Sequence, residues 1–306
     1  MILKDFSRIS KPNDPHCKGA IDIRLMQQAK IVGVGAGGAY CLYDALTRSG
    51  LGQLTVIDFD EVEEVNIVRQ GFETTQIGMK KVDALGEHLN NVNAGLKYEG
   101  ISRNIFDMNE SEQDRIFGDA DILLFLTDSF KAQAFGNKLA LRYGKPAIWA
   151  GFYEKSQCAE IVFTIPGVTP ACFRCAVSSR YEAQAESREE ILVSSGCNTM
   201  MHSQLLDSFK GMIIFGILHN NIEGYEYSNW FGSHWDRNLI QIKVNPRYPS
   251  QLFQKVFEPT DGRCPNFSAI WQRIEEERPP KYVECPDCNG IGNLINCKQN
   301  GINKNE

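Results

Sequence analysis

Gly33, Gly35 and Gly38 follow the order G-x-G-x-x-G within the run Gly33-Val-Gly35-Ala-Gly37-Gly38. Glycines so spaced between a strand and a helix let backbone N–H groups and the helix N-terminus cradle phosphate oxygens. Asp58 comes twenty residues after Gly38, at the end of the next strand-like run, where a carboxylate can accept from a ribose hydroxyl. These residues alone read first as an NAD-dependent oxidoreductase. The next ones turn the reading towards a triphosphate. Asp58-Phe-Asp60 leads to Asn66, then Arg69-Gln70, then Gly78-Met-Lys-Lys81, and Asp128 stands in Leu126-Thr-Asp-Ser129. Hydride transfer has no use for two cations and an amide at those places. A triphosphate does, because Arg69 and Lys81 can neutralise charge that builds on the α-phosphate and on departing pyrophosphate. Asp128 can hold a Mg²⁺ that bridges phosphate oxygens. Taken singly, each of these charges reads as a solvated surface group.

A second chemistry lies in the cysteines. Cys172-Phe-Arg-Cys175 and Cys285-Pro-Asp-Cys288 each put two thiolates on one tight turn, and two such turns supply the four ligands of a closed, structural Zn²⁺ site. Ten cysteines placed at random would give about 0.3 such pairs. A thioredoxin-like redox pair is the rival reading, but neither motif sits between a first strand and a helix.

The elements that must position these groups alternate. Residues 29–34 form a β-branched run that ends in the glycines, a helical pattern spans Ala39 to Ser49, and Gln53 to Asp58 is a buried-type strand. A helix is expected from Lys80 to Asn91, a strand at Ile122 to Thr127, a helix from about Lys131 to Tyr143, and a strand at Pro146 to Ala150. Strands alternating with helices predict an α/β fold with a doubly wound, mostly parallel, Rossmann-like sheet. Beyond Gly151 the pattern loosens. Ala159–Thr164 reads as a strand, Ser178 to Ser195 as a polar loop, Met200 to His219 as one long helix, Asn238–Val244 as a strand, and Ser268 to Arg278 as a charged helix. The expected divisions are an N-terminal segment 1–28, a nucleotide-binding core 29–170, a zinc-stapled half 171–288 with an insertion near 249–280, and a flexible tail 289–306.

Composition narrows the partners. Acidic residues outnumber basic ones 38 to 32, for a net charge of -6, and the basic residues are scattered, which argues against nucleic acid. The N-terminus lacks the apolar stretch of a signal peptide and the run Met212–Leu218 is far too short to span a bilayer. These features predict a cytoplasmic protein with no membrane partner, in which cysteines serve as metal ligands, as a catalytic thiol or as buried thiols.

With the glycine loop, Asp58-Phe-Asp60, Asn66-Ile-Val-Arg-Gln70, Gly78-x-x-Lys81 and Thr127-Asp128 in this order, the chain resembles the ThiF/MoeB family of ubiquitin-activating-enzyme-like adenylyltransferases. The resemblance covers roughly residues 29 to 220 and extends more weakly to Cys288. It implies an enzyme that binds ATP through Gly33, Gly35, Gly37, Gly38, Asp58, Asp60, Asn66, Arg69, Lys81 and Asp128, with Asp58 on the ribose, Asn66, Arg69 and Lys81 on the phosphates, and Asp128 on magnesium. The carboxylate activated would be the C-terminus of a small ubiquitin-like β-grasp protein, or alternatively a peptide or nucleoside carboxylate. It further implies a homodimer in which Arg8, in Phe6-Ser-Arg8, reaches the partner's site, a zinc held by Cys172, Cys175, Cys285 and Cys288, and a downstream conjugating or sulfur-transfer enzyme. Family members that pass the carbonyl to a thiol use the segment where Cys197 stands. Cys197 is thus a candidate nucleophile, activated if it sits at a helix N-terminus, or else a small packing residue. Two departures mark this chain: Ala39-Tyr40 follows Gly38 where Leu-Gly is usual, and Ser129 follows the magnesium Asp where an Asn is common.

Overall fold

The computed structural model describes residues 1–190, 196–245, 251–258, 266–274 and 285–288. In chain order the elements are α1 (Ile23–Gln28), β1 (Lys30–Val34), α2 (Tyr40–Arg48), β2 (Gln53–Ile57), α3 (Glu64–Ile67), α4 (Lys81–Val92), β3 (Lys97–Ile101), α5 (Glu110–Phe117) and β4 (Ile122–Phe125). They continue with α6 (Phe130–Tyr143), β5 (Ala147–Phe152), β6 (Cys158–Thr164), α7 (Phe173–Ala176), α8 (Ser178–Glu186), α9 (Met200–Leu218), β7 (Leu239–Lys243), α10 (Gln251–Phe257) and β8 (Ser268–Gln272). Two compact units share them. Met1–Leu126 with Thr199–Gly232 makes the first, and Thr127–Asn198 with residues from Ser233 onward makes the second.

The first unit carries a parallel sheet in the order β3-β2-β1-β4, the arrangement expected of a Rossmann-like core. β1 and β4 are buried along almost their whole length, as strands covered on both faces must be, and their β-branched and leucine side chains suit that place. Tyr43 of α2 packs under β1 so closely that a Cβ on Gly33 would lie 2.0 Å from its hydroxyl. That hydroxyl donates to the carbonyl of Gly35 at 2.9 Å. Gly33 is therefore required by strand–helix packing. α9 lies against α2, where Gly211 lets Leu42 approach.

The second unit pairs β5, β6, β7 and β8 antiparallel. Its core includes Trp149 stacked on Phe173, ring centroids 4.8 Å apart, and a cluster of Cys158, Phe253 and Phe257.

Two expectations are corrected here. Ser178 to Glu186 is helix rather than loop. None of its residues is buried, so it carries no apolar stripe to reveal it, and its Arg, Glu, Ala and Gln content favours the helix locally. Ser268 to Gln272 is strand rather than helix. It pairs with β7 with Trp271 opposite Ile240, and the Trp271 ring meets Phe163 edge-on at 5.9 Å. Sheet pairing overrides the helical look of the charged residues that follow. The tail from residue 289 and, of the expected insertion at 249–280, residues 249–250, 259–265 with Cys264, and 275–280 lie outside the described residues. Among the described residues no helix is long and apolar enough to cross a membrane.

Candidate functional site

Between β1 and α2 the chain turns through Gly35, whose φ is +101°, a conformation that glycine alone adopts freely. Asp58, one residue beyond β2, locks the turn: its carboxylate accepts from the N–H of Ala36 at 2.7 Å and from that of Asp60 at 2.9 Å. The N–H of Gly35 donates to the carbonyl of Ile57 at 2.9 Å. Burial pushes the Asp58 carboxyl above its ordinary range, and the two N–H bonds and the nearby Lys81 charge offset this only in part. No atom lies within 4 Å of the place a Cβ would take on Gly38, so the loop is open on that side.

The expected phosphate ligands gather around this turn within the first unit. Lys81, at the start of α4, is buried, and its ammonium donates to Asp60 at 2.6 Å. Asn66 is buried at the end of a capping box, its carbonyl oxygen accepting from the N–H of Glu63 at 2.9 Å. That leaves its NH₂ as the donor for a ligand. Arg69 follows α3 at a bend held by Ser203 of α9, whose hydroxyl donates to the Arg69 carbonyl at 3.2 Å.

Arg69 Nε is buried and has no hydrogen-bond partner among the described residues. The same holds for Oε1 of the neighbouring Gln70, and the Gln70 amide lies against Gly37, where a Cβ would come within 2.5 Å of it. Buried polar groups without partners are uncommon, and a donor and an acceptor so placed beside a glycine turn suit a polar ligand over the loop. Gln70 was not among the expected site residues. Its position next to Arg69 in the chain was the one signal available.

Two features mark off this chain. Tyr40, which stands where the resembling family has a smaller residue, packs edge-on to Phe72 at 5.0 Å and beside His88 at 5.1 Å. It supports the turn and removes no phosphate donor. Ser129 caps α6, its hydroxyl accepting from the N–H of Ala132 and donating to Glu190 at 2.6 Å. Asp128 itself is exposed, three residues beyond β4 in the chain.

The second unit holds the cysteine cluster. Cys172, Cys175, Cys285 and Cys288 are all buried, with the four sulfurs within 4.8 Å of one another. The Cys172–Cys175, Cys172–Cys285 and Cys175–Cys288 sulfurs are 3.7, 3.7 and 3.6 Å apart. A tetrahedral zinc with bonds of about 2.3 Å sets its sulfurs about 3.8 Å apart, so the four fit zinc. The middle residues of the two motifs are tied as well. Arg174 pairs with Asp287 at 2.9 Å, and Asn137 of α6 donates to the same carboxylate at 2.8 Å and to Cys172 Sγ at 3.7 Å. Such outer partners orient metal ligands.

Two candidates remain. Arg8 is exposed in a turn of the N-terminal segment. Cys197 is exposed, with a left-handed φ of 66°, two residues before Thr199, the N-cap of α9.

The sequence pattern of the ThiF family matches residues 20–238. The chain belongs to the ThiF family. Among its relatives, ubiquitin-like modifier-activating enzyme 5 of Gallus gallus is 31% identical over 267 residues, covering 83% of this chain and 63% of the chicken protein. The protein of the same name from Drosophila erecta is 27% identical over 266 residues, covering 83% and 61%. The chain thus spans less than two thirds of the length of these curated relatives. The ThiF-family fold recurs in the crystal structure of E. coli MccB with ATP, at a TM-score of 0.59 and 19% identity over 82% of this chain and 65% of that one. It recurs also in selenomethionine PaaA, at a TM-score of 0.56 and 15% identity, covering 82% and 75%. At these identities the structural likeness concerns the fold.

Proposed function

We propose that this chain activates a carboxylate with ATP, forming an acyl-adenylate at the C-terminus of a small ubiquitin-like β-grasp protein. The observation that carries the reading is the grouping, in one unit, of the open glycine turn with Lys81, Asn66 and the buried Arg69 Nε and Gln70 Oε1, which have no partner among the described residues. A nucleotide's phosphates supply acceptors for Arg69, Asn66 and Lys81, and its ribose lies within the reach expected of Asp58.

A carboxylate oxygen attacks the α-phosphorus, the bond to the β-phosphate oxygen breaks, and pyrophosphate leaves. The charge that grows on the equatorial oxygens and on the leaving group falls to Arg69 and Lys81 to stabilise. Lys81 exchanges its bond to Asp60 for phosphate oxygens. Asp128 would hold magnesium, which would supply positive charge to the leaving pyrophosphate. The four cysteines would hold zinc as a closed structural site with no position free for chemistry.

The family membership and the names of the relatives favour a ubiquitin-like substrate. The homodimer with Arg8 acting in trans, transfer to Cys197, and a conjugating or sulfur-transfer enzyme downstream belong to the same proposal. ATP–pyrophosphate exchange tests it. Exchange should require a β-grasp protein with a free C-terminus and should fall at least about a hundredfold in Asp128→Ala. Exchange driven by a short peptide alone would shift the substrate assignment, and an Asp128→Ala variant as fast as wild type would end the magnesium assignment.

A further inference from the structure

α9 buries its polar residues. Ser203, Asp207 and Lys210 recur at intervals of four and three along this nineteen-residue helix and all are buried, whereas Met201 and Met212 on the same helix are exposed. Charged side chains are seldom buried unless they are paired and serve a purpose. Asp207 and Lys210 pair with each other at 2.5 Å, with side chains 4% and 2% exposed.

The other oxygen of Asp207 accepts from the backbone N–H of Leu42 at 2.9 Å. Leu42 is the third residue of α2, the helix that opens directly behind the glycine turn, and its N-cap, Ala39, has no side chain able to cap it. One of the orphan N–H groups at this helix end is therefore satisfied by a carboxylate from α9. The same helix end is the one that would face nucleotide phosphates, and an unbalanced negative charge beside it would oppose them. Lys210 cancels that charge. Ser203, one turn earlier on α9, steadies the carbonyl of Arg69, so a single helix face supports both sides of the site.

We propose that Asp207 and Lys210 form a charge-balanced cap on α2, and that they are positioning residues which set the affinity of the glycine turn for a polyphosphate. This rests on the nucleotide reading above.

The test measures KM for ATP, kcat in pyrophosphate exchange, direct binding of ATP and Tm for the full chain and three variants. Lys210→Met leaves the Asp207 charge bare, and KM for ATP should rise about tenfold with kcat within about twofold. Asp207→Asn keeps an oxygen for the Leu42 N–H but leaves Lys210 positive, so KM should stay at or below the wild-type value. The double variant Asp207→Asn/Lys210→Met restores neutrality and should return KM to within about threefold of wild type. A merely structural pair would raise KM in both single variants alike, in step with Tm, and that result would overturn the cap. So would a double variant as weak as Lys210→Met. Wild-type protein that bound no ATP would overturn the nucleotide reading and the cap with it, whereas sound wild-type binding with variants of unchanged affinity would overturn the cap alone.

Discussion

Asp58 illustrates at the scale of one residue how a site and a stable fold can pull apart. Its carboxyl is pushed up by burial even though two N–H groups bond to it. An acid whose pKa is raised on folding contributes stability below its unfolded pKa and loses it as pH climbs through the folded value. At neutral pH ionised Asp58 therefore strains the fold, and Asp58→Asn, which still accepts from Ala36, should raise Tm at pH 7 by roughly 1–3 °C while weakening ATP binding. The gain should shrink as the pH falls, because the raised pKa lets the wild-type carboxyl take up its proton before an ordinary carboxylate would; thermal melts from pH 4 to 7 check the sign. The thiols differ by the same logic. Cys41 lies in the first turn of α2, where a helix end would favour its thiolate, yet burial, with Asp207 and Asp44 adding to it, pushes its pKa up to about 11. Iodoacetamide at pH 7.5 should label the exposed Cys197 and leave Cys41 unmodified in the folded protein, a difference read by peptide mass spectrometry. Labelling of Cys41 at the rate of Cys197 would contradict the burial argument.

At the scale of elements, the four-cysteine cluster joins the short helix α7 to the turn at 285–288, and Arg174–Asp287 and Asn137 brace the two motifs from outside the sulfurs. A metal that binds only the folded arrangement stabilises it by its binding free energy. Purified protein should contain one zinc per chain, and Cys175→Ser or exhaustive chelation should lower Tm by roughly 10 °C or more. Because the second unit holds the cluster, hydrogen exchange after chelation should rise first in α7 and in β6, which α7 packs against. An unchanged melt in metal-free protein would remove zinc from the account.

For the whole molecule the proposal is that two chains complete each other's sites. Arg8 is exposed in the N-terminal segment, as a residue that acts in a partner's site would be in a single chain. Arg8→Ala and Lys81→Ala should each be nearly inactive, and mixing them under conditions that let subunits exchange should recover up to about a quarter of wild-type activity, because each mixed dimer contains one intact site. Light scattering should give twice the chain mass. No recovery on mixing would place Arg8 outside the chemistry.

How much of this was legible beforehand depended on how locally each feature is determined. The glycine turn, Asp58, the strand–helix order of the first unit and the paired cysteine motifs are set by neighbours a few residues apart, through backbone conformation and ligand spacing, and the sequence by itself determined them. β3 escaped because Lys97–Ile101 is mostly exposed and shows no apolar alternation; its place comes from pairing with β2 and from Tyr98, which donates to the Val82 carbonyl at 2.7 Å. β8 escaped because its partner lies some thirty residues upstream. That Gln70 lies against Gly37, that Tyr43 makes Gly33 obligatory, and that Asp207 caps a helix 165 residues away were decided only by tertiary structure. A long-range hydrogen bond or a close packing contact leaves no periodic trace in a single chain, whereas a turn or a metal-binding loop carries its requirement in adjacent residues.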